Sequence, residues 1–163
     1  MKQTMAPQKK SEKKSDKASG SLFAVIRIHG MVEVKQPVSD TLDRLRLRRK
    51  YACVLLDSSD KNLFGMLKRV HYFVAYGPVD RDMLVKLISQ RAKSIEGNSK
   101  KIKVDADEVA TGLLSGKKLS DFGLKPFFRL HPPRKGINSK QAYPVGVLGN
   151  HHEKINALIE RML

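Results

Sequence analysis

The residues in this chain whose types and spacing could do chemistry are mostly cations. Arg44, Arg46, Arg48, Arg49 and Lys50 put five positive charges into seven residues, and no Asp or Glu follows them until Asp57. Cations without nearby carboxylates can neutralise phosphates, and the counterions released on contact drive binding. A second group lies between Phe122 and His152, a run with no Asp or Glu that carries Lys125, Arg129, Arg134, Lys135 and Lys140. His131 sits between Arg129 and Arg134, where imidazole and guanidinium planes can stack on unpaired bases; simple exposure stands beside that reading. The expected nucleic-acid contacts are Arg44, Arg46, Arg48, Arg49, Lys50, Lys68, Arg129, His131, Arg134, Lys135 and Lys140. A charge run is usually just a solvated face, but for residues 44–50 the lack of carboxylates on their C-terminal side before Asp57 weakens that explanation.

Candidates for catalysis are poorer. The run GLLSGKKL from Gly112 has one residue too few between its glycines for a phosphate-binding loop. It also lacks Ser or Thr after the Lys and follows no strand. His151, His152 and Glu153 are adjacent, so on a helix they point in different directions and cannot form the i, i+4 pair of a zinc helix; decorating or capping the last helix suits them better. His29 and His71 border strands without an acidic partner in sequence and read as polar strand-end residues. Cys53, the one cysteine, lies in an apolar run and reads as a buried structural thiol. No enzyme activity, cofactor, metal or small-molecule substrate is expected.

Composition narrows the partner. Thirty-two Lys and Arg against 16 Asp and Glu give a formal net charge of +16 over 163 residues, which points to a polyanion. Nucleic acid comes first, and a membrane surface second. The latter would call for a basic amphipathic helix or a lipid anchor. No apolar run approaches the ~20 residues of a bilayer span, so no membrane partner is expected. A single cysteine forms no intrachain disulfide, which fits a reducing compartment.

The elements that must position the cations begin at Leu22. LFAVIRIHG, SDTLDRLRLRRK, YACVLLD, KNLFGMLKRV and HYFVAYG read as strand, helix, strand, helix, strand, one unit over residues 22–77 closed by Gly77-Pro78. Leu63, Met66, Leu67 and Val70 line one helix face, whereas Cys53 to Leu56 and Tyr72 to Val74 suit buried strands. Ser39 and Asp60 are placed to cap the two helices. Residues 44–50 fit two conformations: Leu42 and Leu45 pair on a helix, but Arg44, Arg46 and Arg48 share a face if the chain is extended.

An extension over residues 78–163 follows. Asp80 should cap a helix to about Lys93, with Leu84, Leu87 and Ile88 inward. Gly97 to Lys103 is a basic connection, and Asp105 with Glu108 forms a capping box for a helix through Leu114, ended by Gly116. Asn150 with Glu153 forms a second box, opening a helix that carries Ile155, Leu158, Ile159 and Met162 on one face. Pro132, Pro133, Gly136 and Pro144 forbid a regular element between these helices, so a long basic loop is expected over about 124–149, anchored by Phe127 and Phe128 with its tip free to reach out. Residues 1–21, with six Lys and almost no apolar content, read as a disordered basic tail. It lacks the apolar segment of a signal peptide, and a transit peptide would be rich in Arg rather than Lys.

Together VIRIHG, TLDRLRLRR and NLFGMLKRVHYFVAYG, with FRLHPPRKGI and GNHHEKINALIERML, resemble the large-subunit ribosomal protein thirty family in its long archaeal and eukaryotic form. The resemblance covers residues 22–163 and has an archaeal flavour. It implies an α+β fold: a small three-stranded sheet with two helices on one face, a ferredoxin-like βαβαβ core, plus a helical and loop-rich C-terminal extension. It also implies a structural place in the cytoplasmic ribosome, bound to large-subunit ribosomal RNA and to neighbouring ribosomal proteins. The chain departs from the pattern at Lys135, where a second Gly after Arg134 would be expected. Two rivals remain: a free RNA-binding regulator or chaperone, and a ferredoxin-like ligand-binding or enzymatic domain, which would need a pocket with converging polar groups.

Overall fold

A computed structural model of the chain describes residues 22–95 and 105–163. The tail expected over 1–21 and the connection Gly97 to Lys103 lie outside the described residues. Strand β1 (Leu22–Arg27) is followed by helix α1 (Gln36–Arg44), β2 (Ala52–Asp57), α2 (Lys61–Val70) and β3 (Val74–Pro78). Then come α3 (Arg81–Arg91), α4 (Ala106–Leu114), the two-residue strands β4 (Phe128–Arg129) and β5 (Gly149–Asn150), and α5 (Ile155–Glu160). Single 3-10 turns at Leu119–Phe122 and His152–Lys154 precede β4 and α5. Among the described residues no helix is long and apolar enough to cross a membrane.

The α+β expectation holds, with a larger sheet than the three strands expected. Its order is β4-β2-β1-β3-β5, antiparallel except where β5 runs parallel to β3. The extension supplies both outer strands. Alternation along the strands sends side chains to opposite faces. Val25, Val54, Leu56 and Val74 pack on one face against Leu42, Leu45 and Leu47 of the α1 region and Leu67 and Val70 of α2. Leu22, Ala24, Ile26, Cys53 and Ala75 pack on the other face against α3, α4 and α5, so the extension covers the side that the first two helices leave bare. Gly77 permits this close approach, because a Cβ there would lie 2.4 Å from the His152 carbonyl oxygen at the start of the last helical segment. Phe127 and Phe128 divide between the two faces.

Several helix starts differ from expectation. Helix α1 begins at Gln36, so Ser39 lies in its first turn and does not cap it; Pro37 sits in that turn because its fixed φ and missing N–H suit the position. Asp60, Asp80 and Asp105 do occupy the residues before α2, α3 and α4, but none makes a side-chain capping bond. The carboxylate of Asp80 instead accepts from Asn156 Nδ2 at 2.8 Å, tying α3 to α5. Asn150 Oδ1 accepts the His152 N–H at 3.0 Å, and a 3-10 turn follows before α5, in place of the expected box with Glu153. Tyr72 is not buried strand: Phe73 N–H bonds Val70 O at 2.8 Å, closing a turn that leaves Tyr72 65% exposed.

Candidate nucleic-acid interface

The segment from Arg44 to Lys50 is shaped by how α1 stops. Arg46 has a φ of 61°, the left-handed conformation usually given to glycine after a helix. Its N–H bonds Asp43 O at 2.9 Å and the Leu47 N–H bonds Leu42 O at 2.8 Å, the paired bonds that end a helix in a tight reversal. Through this turn Leu45 and Leu47 are buried, while Arg44, Arg46, Arg48, Arg49 and Lys50 are exposed. Of the two conformations left open by the sequence, the helix is used as far as Arg44 and a tight reversal follows in place of an extended run, with the buried leucines fixing the outward direction of the arginines.

Arg27 holds this segment in place. It is 1% exposed at the end of β1, and its guanidinium donates from Nε to His29 O at 2.9 Å and from Nη2 to Gly30 O at 2.8 Å. Nη1 donates to Leu47 O at 2.7 Å and to Arg48 O at 3.1 Å. Desolvation lowers its pKa, partly offset by the charge of Asp43. A buried guanidinium satisfied by four carbonyls crosslinks the end of β1 to the arginine-rich turn.

The second group joins the first across a sheet edge. Arg129 pairs with Ala52, and the Leu130 N–H donates to Tyr51 O at 3.0 Å, which sets Arg129 and His131 beside Lys50. Further on, the tip is tied down where it was expected to be free. Arg134 N–H bonds Arg161 O at 3.0 Å, His131 N–H bonds Met162 O at 2.9 Å, and the Arg161 guanidinium donates to the carbonyls of Arg134 and Gly136. Lys135 adopts a φ of 65°, a glycine-favouring conformation at the residue where the resembling pattern would carry glycine. Lys140 lies in a turn closed by Val147 N–H to Asn138 O at 3.1 Å, and Lys68 lies in the last turn of α2.

All eleven residues are exposed, and among the described residues none is in a salt bridge. Arg44 and Arg46 line a groove with Leu22, Asp57 and Asp60, whereas the structure brings Lys50 together with Arg129 and His131. Arg134 and Lys135 continue from them along the loop, and among the described residues no hydrogen bond links Lys68 or Lys140 to that group. Reading the sequence missed Arg27, although a lone Arg between Ile26 and Ile28 in a buried strand is itself a signal that the charge must be satisfied. Arg161 had no such signal, since its task depends on where the distant loop lies.

The residues considered for catalysis are occupied structurally. Cys53 is fully buried, and desolvation pushes its thiol up to about 12. His151 is also buried, contrary to a decorating role; its Nε2–H donates to Val147 O at 2.7 Å and its ring lies 4.7 Å from that of Tyr143. Gly112 lies inside α4 under Phe122, whose Cζ would be 2.4 Å from an added Cβ. Among the described residues, no group of three or more His, Cys, Asp or Glu is placed to hold a metal ion.

Comparison with known proteins agrees with the resemblance. The family model for ribosomal protein L30p/L7e matches residues 23–74, from β1 to the first residue of β3. The large ribosomal subunit protein uL30 of Archaeoglobus fulgidus is 41% identical over 155 residues, spanning 86% of this chain and 99% of that protein. Its counterparts in Methanococcus vannielii and Methanobrevibacter smithii are 36% identical over 154 residues and 37% over 158, again spanning 86% and 87% of this chain and 99% and 100% of those proteins. Similarity of this extent, running through the core and the extension alike, makes this chain a member of the ribosomal protein L30p/L7e family.

Proposed function

We propose that this chain is a structural constituent of the large ribosomal subunit, binding large-subunit ribosomal RNA through Arg and Lys contacts to phosphate. The observation that carries the reading is the match, over nearly their whole length, to proteins named as large-subunit components. The ten exposed arginines and lysines expected to meet phosphate, none of them in a salt bridge among the described residues, supply the chemistry. In this reading the 22–77 core fixes where the cations sit, and the 78–163 extension presents the loop of about 124–149; the role is assembly, with no bond made or broken. Neighbouring ribosomal proteins would share the surface, and the site of action would be the cytoplasmic ribosome.

The test is sedimentation of a lysate from cells expressing the chain, at moderate and at high salt. Comigration with large subunits at moderate salt, with retention falling as salt rises, is the expected result. A chain that runs apart from subunits at moderate salt but still binds RNA would be a free regulator or chaperone, and the structural role would fall.

A further inference from the structure

We infer that Tyr72 is a stacking platform for an unpaired base of RNA, set beside the phosphate-facing cations; this rests on the RNA-binding reading above and adds a base contact to it. A lone exposed aromatic needs no explanation, but the support and company of this one do. The His71 ring lies 3.8 Å from the Tyr72 ring, tilted by 40°, and is itself fixed because its Nδ1–H donates to Lys68 O at 2.6 Å. The phenol ring is therefore backed by a second ring held on the end of α2 and is 65% exposed beyond it. Lys68 and Arg69, both exposed, occupy the last turn of the same helix.

The turn is also tied to the arginine-rich segment. Phe73 O accepts the N–H groups of Ile28 at 3.0 Å and His29 at 3.1 Å, and the His29 ring packs edge-on against Phe73 at 5.2 Å. Arg27 then joins the His29 and Gly30 carbonyls to those of Leu47 and Arg48. Tyr72 and Arg48 consequently stand at one end of the sheet, an aromatic face beside cations from two elements. Aromatic rings interleaved with cations suit single-stranded or bulged RNA, whose bases stack on the ring while its phosphates meet the charges. Exposed Met31 and Val32 in the adjoining turn would also suit a protein partner, but the surrounding charge favours RNA.

The experiment measures affinity of the full chain for deproteinised large-subunit ribosomal RNA over a salt series, comparing the unaltered protein with Tyr72→Ala and Tyr72→Phe. Loss of one stacked base should weaken Tyr72→Ala by about 5- to 150-fold at every salt concentration. The slope of log affinity against log salt should not change, because a neutral ring releases no counterions. Tyr72→Phe should stay within about twofold, since it keeps the ring face that stacks. The chain has no Trp, so emission from a Tyr72→Trp variant reports this site alone and should be quenched on binding. Equal binding by Tyr72→Ala overturns the platform, and does so even if that variant is lost more readily from salt-washed large subunits, which would mark a protein contact. Tyr72→Phe as weak as Tyr72→Ala also overturns it, by assigning the contact to the hydroxyl. If the unaltered chain binds no RNA, the underlying reading and the platform fall together.

Discussion

Arg27 and His151 are both ionisable groups taken out of water, and backbone carbonyls satisfy both. The difference lies in what each can do about its charge. Arg27 keeps its proton and spreads it over four carbonyl oxygens, whereas His151 can be buried neutral, its one N–H on Nε2 directed at Val147 O. Desolvation lowers the His151 pKa from 6.5, opposed in part by that backbone bond. The sign of the resulting pH dependence follows: between the lowered folded value and 6.5 the unfolded chain binds the proton and the folded chain does not. Stability is thus full above about pH 6.5 and falls as pH drops below it. Melting temperatures at pH 7.5 and pH 5 should show a drop that is smaller in His151→Gln, which removes the titration and keeps a donor. Equal drops in the two proteins would remove His151 as a source. The burial of His151 was not legible from the HHE run, because it depends on β5 lying beside β3, with His151 N–H on Tyr76 O at 2.8 Å.

Helix α1 illustrates how much an element's ends depend on its surroundings. Its apolar positions and those of α2 were readable, since spacing at 3.6 residues survives in any context. Its termination was not, because Arg46 holds the left-handed position where glycine would have announced the stop. The same holds for β4 and β5: two residues each are too few for periodicity, and they are strands only because the β2 and β3 edges accept them. A side chain at φ 61° is strained, so Arg46→Gly should raise stability by about 0.5 to 1 kcal/mol after allowing for the greater freedom of glycine in the unfolded chain. Urea unfolding measures this, and a loss of stability would mean that the tight reversal is not populated in solution. The same variant should lower RNA affinity at moderate salt, since one exposed cation is gone.

At the scale of the whole molecule the excess of cations was plain in the sequence, and its arrangement was not. A run of prolines and glycines with no acids suggested a tip loose enough to reach out, yet a proline-rich loop needs no regular structure to be held firmly. Here Arg161 and the last residues of the chain brace it through backbone carbonyls, and Leu130 and Phe128 bury its base. The bracing uses the main chain of Arg134 and Gly136 and leaves the side chains of Arg134 and Lys135 exposed. Replacing both by Ala should therefore preserve the fold, which circular dichroism can verify, while removing two phosphate contacts from a surface whose position is fixed. Each phosphate neutralised contributes about 0.7 to 0.9 to the slope of log affinity against log salt. The double variant should flatten that slope by about 1.4 to 1.8, and weaken ribosomal and unrelated structured RNA alike, because phosphate carries no sequence. An unchanged slope would exclude these two side chains as phosphate contacts. If affinity fell for the ribosomal RNA alone, the loop would be reading bases or shape, and a rigid, braced tip would then be serving recognition rather than charge neutralisation.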